Sequence, residues 1–175
     1  MADRTLIIIK PDGVQRHLIG EIIGRFEKKG LKLVAAKFLK PDNTIATKLY
    51  AVHKGKPFYD GLVKFLCSSP VLAMVWEAPS TGSTHSTGST SSPQASSGQG
   101  QGAIEIARRM LGSTFGYEAV PGTIRGDLGC SRGFNLVHGS DSVQSADYEI
   151  PIFFRPEEIV NYEFADEHWL YGKNE

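Results

Sequence analysis

A histidine between a short apolar stretch and a cluster of helix-starting residues, Asn135-Leu136-Val137-His138-Gly139-Ser140-Asp141-Ser142, is the chain's strongest candidate for chemistry. The pattern predicts a short strand over Asn135 to Val137 and a helix over Ser142 to Ile150. Asp141 and Gln144 stand in the positions of a capping box, and Ser140 and Ser142 are further helix-start residues. A helix N-terminus presents unpaired backbone N–H groups and a partial positive charge, so it favours an anion. An imidazole beside it, mostly neutral near pH 7, is set to meet a phosphate and can itself attack phosphorus. Attack needs an oriented ring, for which Asn135 and Glu149 are candidate partners. His138 precedes the helix, so helical phase does not carry Glu149 to it. The plain alternative is a strand-to-helix junction with a satisfied histidine.

Competing chemistries have less support. The phosphate-loop, dinucleotide-binding and zinc-protease signatures do not occur in the sequence. His17, His53, His85 and His168 read as structural or solvent residues, and no pair has metal-ligand spacing. Cys67 and Cys130 form neither a metal motif nor a disulfide framework, which suits a reducing compartment. With 19 basic and 19 acidic side chains the formal net charge is zero, so no overall field draws the chain to nucleic acid. No apolar run approaches the roughly 20 residues of a membrane helix, and the opening MADRTLIIIK lacks the build of a secretory signal. A cytoplasmic protein is the expectation.

The elements that must hold the histidine follow from periodicity. Leu6 to Ile9 is an unbroken aliphatic run closed by Lys10-Pro11-Asp12-Gly13, as for a strand buried on both faces and ended by a turn. Ile19, Ile22, Ile23 and Phe26 share a helix face, with Lys28 and Lys29 in the last turn and Gly30 placed to cap it. Leu31 to Leu39 and Val71 to Trp76 read as strands. Ile45 to His53, Pro57 to Cys67 and Ala103 to Leu111 read as helices, with Pro57 in a first turn and Phe58, Leu62, Phe65 and Leu66 on one face. The order suits an α+β sandwich, a small sheet covered by helices. Between Trp76 and Ala103, the stretch Ser80 to Gln101 carries no formal charge and Ala95 as its one apolar residue. It cannot bury enough surface to offset its ordering entropy. The expectation is a single domain over 1–175 interrupted by a low-complexity surface loop at 80–101.

Several segments together resemble nucleoside diphosphate kinases: Thr5 to Arg16 (TLIIIKPDGVQR), Lys56 to Val63 (KPFYDGLV), Pro121 to Asp127 (PGTIRGD) and Asn135-x-x-His138-Gly-Ser-Asp141. Apart from the insertion, the similarity runs from about Arg4 to Tyr171. It implies a ferredoxin-like βαββαβ core with a four-stranded antiparallel sheet. It also implies a two-step exchange in which His138 takes the γ-phosphate of a nucleoside triphosphate and passes it to a diphosphate, with Mg²⁺ bridging the nucleotide phosphates rather than sitting in a protein cage. By the same resemblance Phe58 stacks on the base with Leu62 beside it. Lys10 and Asn135 hold the sugar, Lys10 also lying near the phosphates, and Tyr50 lies near the transferred group. Arg108, Thr114 and Arg125 bind phosphate, and Ser140 and Glu149 orient His138. Matching Arg-x-Met-Leu-Gly-x-Thr onto the sequence selects Arg108 over Arg109. The resemblance implies broad base specificity and a homo-oligomer, a hexamer foremost. Departures are the insertion, the segment Phe115 to Val120, Arg132 at a position often aliphatic and Phe134 at one often arginine. An alternative is a nucleotide-binding interaction module whose catalysis the insertion impairs.

Overall fold

The computed structural model describes residues 3–78, 102–165 and 170; Ser80 to Gln101, His85 and His168 lie outside them. Strand β1 (Arg4–Ile9) leads through a short helix α1 (Pro11–Gln15) and helix α2 (Ile19–Lys28) to β2 (Lys32–Leu39). Helix α3 (Asn43–Leu49), a 3-10 turn (Ala51–His53) and α4 (Tyr59–Leu66) precede β3 (Val71–Glu77). Then follow α5 (Ala103–Leu111), a 3-10 turn (Gly116–Glu118), α6 (Ile124–Leu128), β4 (Val137–Gly139), α7 (Val143–Phe153) and a last 3-10 turn (Pro156–Glu158). The sheet order is β2-β3-β1-β4, with every neighbouring pair antiparallel. This is the ferredoxin-like arrangement expected from the sequence.

Helices cover both faces of the sheet, and this is why β1 and β3 read as continuous apolar runs. Ile7, Ile9, Met74 and Trp76 pack with Ile22 and Phe26 of α2 and Ile106 and Leu111 of α5. Leu6, Ile8, Ala73 and Val75 pack with Leu49 of α3, Val63 and Leu66 of α4 and Phe153 of α7. Gly30 ends α2 at φ 89°, its N–H donating to Glu27 O while Leu31 N–H donates to Phe26 O. That pair of bonds is the glycine-dependent helix stop expected there.

Local boundaries differ from expectation for identifiable reasons. The turn after β1 is a short helix, because Pro11 at its first position has a preset φ and no N–H to lose. The segment from Ile45 to His53 divides into α3 and a 3-10 turn, and α4 begins at Tyr59 with Phe58 as its N-cap. Strand β4 sits two residues later than expected, at Val137–Gly139, because its pairing with Ile7 to Ile9 sets its limits. The cap of α7 is Ser142, which accepts from Ser145 N–H, while Asp141 accepts from the Ser145 hydroxyl instead of forming a capping box.

Asp3 holds both sides of the interrupted stretch. Its carbonyl accepts from Ala78 N–H (3.2 Å) and its carboxylate accepts from Ala103 N–H (2.6 Å) at the start of α5. Gly102 has no side chain to cap that helix, so a carboxylate a hundred residues away takes the role, at the end where the helix dipole favours it.

Candidate active site

Sheet pairing brings the histidine to its partners. His138 lies opposite Ile8 across β1 and β4, and directly paired residues project to the same face. That face carries α7, so Glu149 reaches the ring although sequence spacing alone did not require it. His138 Nε2 lies 3.0 Å from Glu149 Oε2, and the Ser140 hydroxyl donates to the same oxygen at 2.7 Å. Ser140 Oγ in turn accepts from Leu6 N–H, so the relay is anchored on β1. A carboxylate only accepts, so in the neutral ring Nε2 is the nitrogen that carries the hydrogen and Nδ1 the one with the lone pair.

A strained turn precedes β4. Leu136 is buried at φ 68°, and Val137 N–H donates to Asn135 O across it at 2.8 Å, a γ-turn of the rare positive-φ kind. Lys10 N–H donates to Leu136 O, and Leu136 N–H donates to Asp12 Oδ2 at 2.9 Å, so the N-cap and the first turn of α1 hold the turn from both sides. Gly13 permits the close approach: a Cβ there would lie 2.7 Å from Ile9 Cγ2 and 3.1 Å from Leu136 O.

Around this turn cationic groups gather. Lys10 is buried and donates to Asn135 Oδ1 at 2.8 Å, while Asn135 Nδ2 donates to Thr114 O. Burial, then the Arg125 charge, pushes the Lys10 ammonium down to about 8, opposed by Asp12. Arg125 is also buried. Its guanidinium donates to the carbonyls of Gly112, Ser113, Asn135 and Val137, leaving one of its five N–H groups uncommitted. Burial and Arg108 lower it to about 10. On α5, Arg109 is exposed and paired with Glu105, whereas Arg108 turns to the cleft. Tyr50 is buried with an unpartnered hydroxyl, and burial, then Glu149 and Asp12, hold it protonated far above its usual range.

Of the eleven predicted site residues, ten line one cleft of about 970 Å³; Ser140 lies behind Glu149. At the outer end Phe58 is 51% exposed, with Leu62 one turn further along α4, so Phe58 presents a free ring face rather than filling the core. His53, expected to have a structural or solvent role, also lines this cleft. Its ring meets Phe58 edge-on at 5.6 Å, and burial, Lys56 and His138 depress its basicity. The clue was the Tyr50-x-x-His53 spacing, since residues three apart share a side of a 3-10 turn. Arg132, over the Phe115 ring at 4.8 Å, is a further lining residue, marked in the sequence as a departure from the family pattern and not as a site residue. A Gly-x-Ser-x-Gly run at Gly129 to Gly133 lies between α6 and β4, where Ser131 Oγ accepts from Gly133 and Phe134 N–H. It is a loop, not the strand-to-helix elbow of a serine hydrolase.

Known proteins share both the sequence and this architecture. The family model "Nucleoside diphosphate kinase" matches residues 3–159. The nucleoside diphosphate kinase of Bacillus cereus is 46% identical over 169 residues, spanning 97% of this chain and 99% of the relative. That of Staphylococcus carnosus is 48% identical over 169 residues, spanning 97% and 98%. The solved structure of a halophilic nucleoside diphosphate kinase from Halobacterium salinarum, in complex with CDP, superimposes with a TM-score of 0.82 at 41% identity, over 98% of this chain and 99% of that one.

Proposed function

The chain belongs to the nucleoside diphosphate kinase family, as a phosphotransferase of that kind, and we propose that His138 Nδ1 is the atom that carries the phosphoryl group. The observation behind this is the clamp on Nε2: with Glu149 and Ser140 fixing that side of the ring, the remaining lone pair belongs to a cleft that also gathers the cations Lys10, Arg108, Arg125 and Arg132. In the first step Nδ1 bonds to the γ-phosphorus, the bond from phosphorus to the β–γ bridging oxygen breaks, and the diphosphate leaves with the electron pair. In the second, a terminal β-oxygen of the acceptor diphosphate attacks the same phosphorus and the N–P bond breaks back to the ring. Glu149 stabilises the ring while its other nitrogen bears phosphate. Lys10, Arg108, Thr114 and the free N–H of Arg125 are the groups for the phosphate oxygens, where charge spreads in the transition state.

Mg²⁺ fits this set as a guest of the nucleotide. The cleft supplies cations for phosphate, its Glu149 is engaged by His138 and Ser140, and its Asp141 by Ser142 and Ser145. When bound, the ion would neutralise charge on the bridging and transferring oxygens. Phe58 and Leu62 form the base platform; a π-face discriminates weakly among bases, which supports broad specificity and matches a relative solved with CDP. We place the enzyme in the cytoplasm as a homo-oligomer, a hexamer foremost. No helix among the described residues is long and apolar enough to cross a membrane. Edge strand β2, with Phe38 59% exposed and Val160 beside it 58% exposed, offers a surface for a second copy.

The test is incubation with γ-labelled ATP and Mg²⁺. The native protein should form an acid-labile phosphohistidine that disappears when a diphosphate is added, and His138→Ala should not. No label on the native protein, or label retained by His138→Ala, overturns the assignment.

A further inference from the structure

We propose that Asp12 is a positioning residue of this site: its carboxylate fixes the strained turn that presents His138 and supplies the counter-charge for the buried Lys10 ammonium. The inference rests on the phosphotransfer reading above and adds a residue to it. Three observations carry it. Asp12 Oδ2 accepts the backbone N–H of Leu136, the residue at φ 68° two positions before His138. A buried leucine holds such a backbone only when its surroundings over-determine it, and Asp12 supplies the one side-chain bond to that turn residue among the described residues. The other oxygen, Oδ1, is buried without a partner, so the carboxylate is kept out of water beyond what one backbone bond requires. Gly13, next in α1, lets the helix approach the turn closely enough for the bond to form.

The charge has a destination in the same cluster. Lys10 is buried and makes no ion pair with a carboxylate among the described residues. Arg125 from α6 opposes its protonation and Asp12 from α1 favours it. The other titratable groups of the same cleft are Tyr50 and His53 after α3, Arg108 on α5, Arg132 before β4, His138 on β4, Asp141 before α7, and Tyr148 and Glu149 on α7; Asp141 is engaged by Ser142 and Ser145. Glu149 is shared by His138 and Ser140, which leaves Asp12 as the carboxylate acting on Lys10. One anion thereby serves two elements of the transfer site, the presentation of the nucleophile and the charge state of a phosphate-side cation.

The experiment compares pH profiles of kcat/KM for nucleotide exchange in the native protein, Asp12→Asn, Asp12→Ala and Asp12→Glu, with a thermal melt of each. Asp12→Asn keeps an acceptor for Leu136 N–H and removes the charge, so it should melt within about 3 °C of the native protein while its alkaline limb moves to lower pH by about half a unit or more. Asp12→Ala removes both and should lose about tenfold in kcat at every pH, while KM changes less. Asp12→Glu restores charge on a longer arm and should return the alkaline limb without restoring kcat. A purely structural role would lower the melting temperatures and leave the limb where it is; that result, or a native profile for Asp12→Asn, overturns the proposal. So does failure of both Asn and Glu variants to fold, since either should be accommodated if the role is electrostatic and local. Absence of exchange by the native protein would instead defeat the transfer reading itself.

Discussion

Lys10 carries a cost that only function explains. Its ammonium is buried with a value near 8, against 10.5 for an open chain, so between those limits the unfolded state binds more protons and stability rises with pH. Below about 8 the burial penalty stands in full, on the order of 3 kcal/mol. Lys10→Met should therefore stabilise the fold at pH 7 by about 1–3 kcal/mol in urea denaturation, while exchange activity falls at least a hundredfold; a less stable variant would mean the ammonium is better solvated than its burial implies. In the native enzyme kcat/KM should decline above about pH 8 as the ammonium deprotonates. At His138 the sensitive quantity is orientation. Glu149→Gln can present its amide to Nε2 and favour the wrong tautomer, so kcat should drop by roughly 10²-fold with KM little changed, as steady-state kinetics would show.

Helices and strands, rather than loops, set the distances in the cleft. Arg125 binds the end of α5, the γ-turn and β4 through four carbonyl oxygens, so it braces the site as well as offering a hydrogen to phosphate. Arg125→Lys keeps the charge but cannot fork; it should cost about 2–4 kcal/mol in denaturant midpoint analysis and slow exchange together, and loss of activity at native stability would contradict the bracing role. These links also show what could be read from the sequence. Helices α2 and α5 were legible because a single apolar stripe with a glycine or basic terminus states the period locally. The buried strands were legible because a sheet covered on both faces permits no alternation. Glu149 meeting His138 was not legible from spacing, since the contact depends on β4 pairing with Ile8 rather than on the phase of α7. Family likeness named the pair, and the register supplies its cause. Asp12 escaped notice because Lys10-Pro-Asp-Gly reads as a plain turn until the non-local approach of Leu136 is known. His53 was set aside because a histidine ending a short helix gives no hint that Phe58 will fold back beside it.

At the scale of the molecule, helices cover both faces of the sheet, Arg108 and Arg125 sit on α5 and α6, and Lys10 and Thr114 lie just past the ends of β1 and α5. The stretch Ser80 to Gln101 interrupts the sequence between β3 and α5, and α5 carries Arg108. Loop-closure entropy grows only logarithmically with length, and the chain on either side is already tied to Asp3. Excising Ser80 to Gln101 and rejoining the ends with a few glycines should leave exchange rates within about twofold and raise stability by no more than about 1 kcal/mol. A large gain in exchange would favour the alternative of a binding module throttled by its insertion. Asp3→Ala, by contrast, should weaken the start of α5 by about 1 kcal/mol and raise KM through Arg108. That aspartate makes the gap between Ala78 and Gly102 a natural grafting port. A foreign peptide spliced there would be displayed from an enzyme that goes on reporting its own folding by turnover, and lineages could lengthen or shorten the segment without touching a single group that handles phosphate.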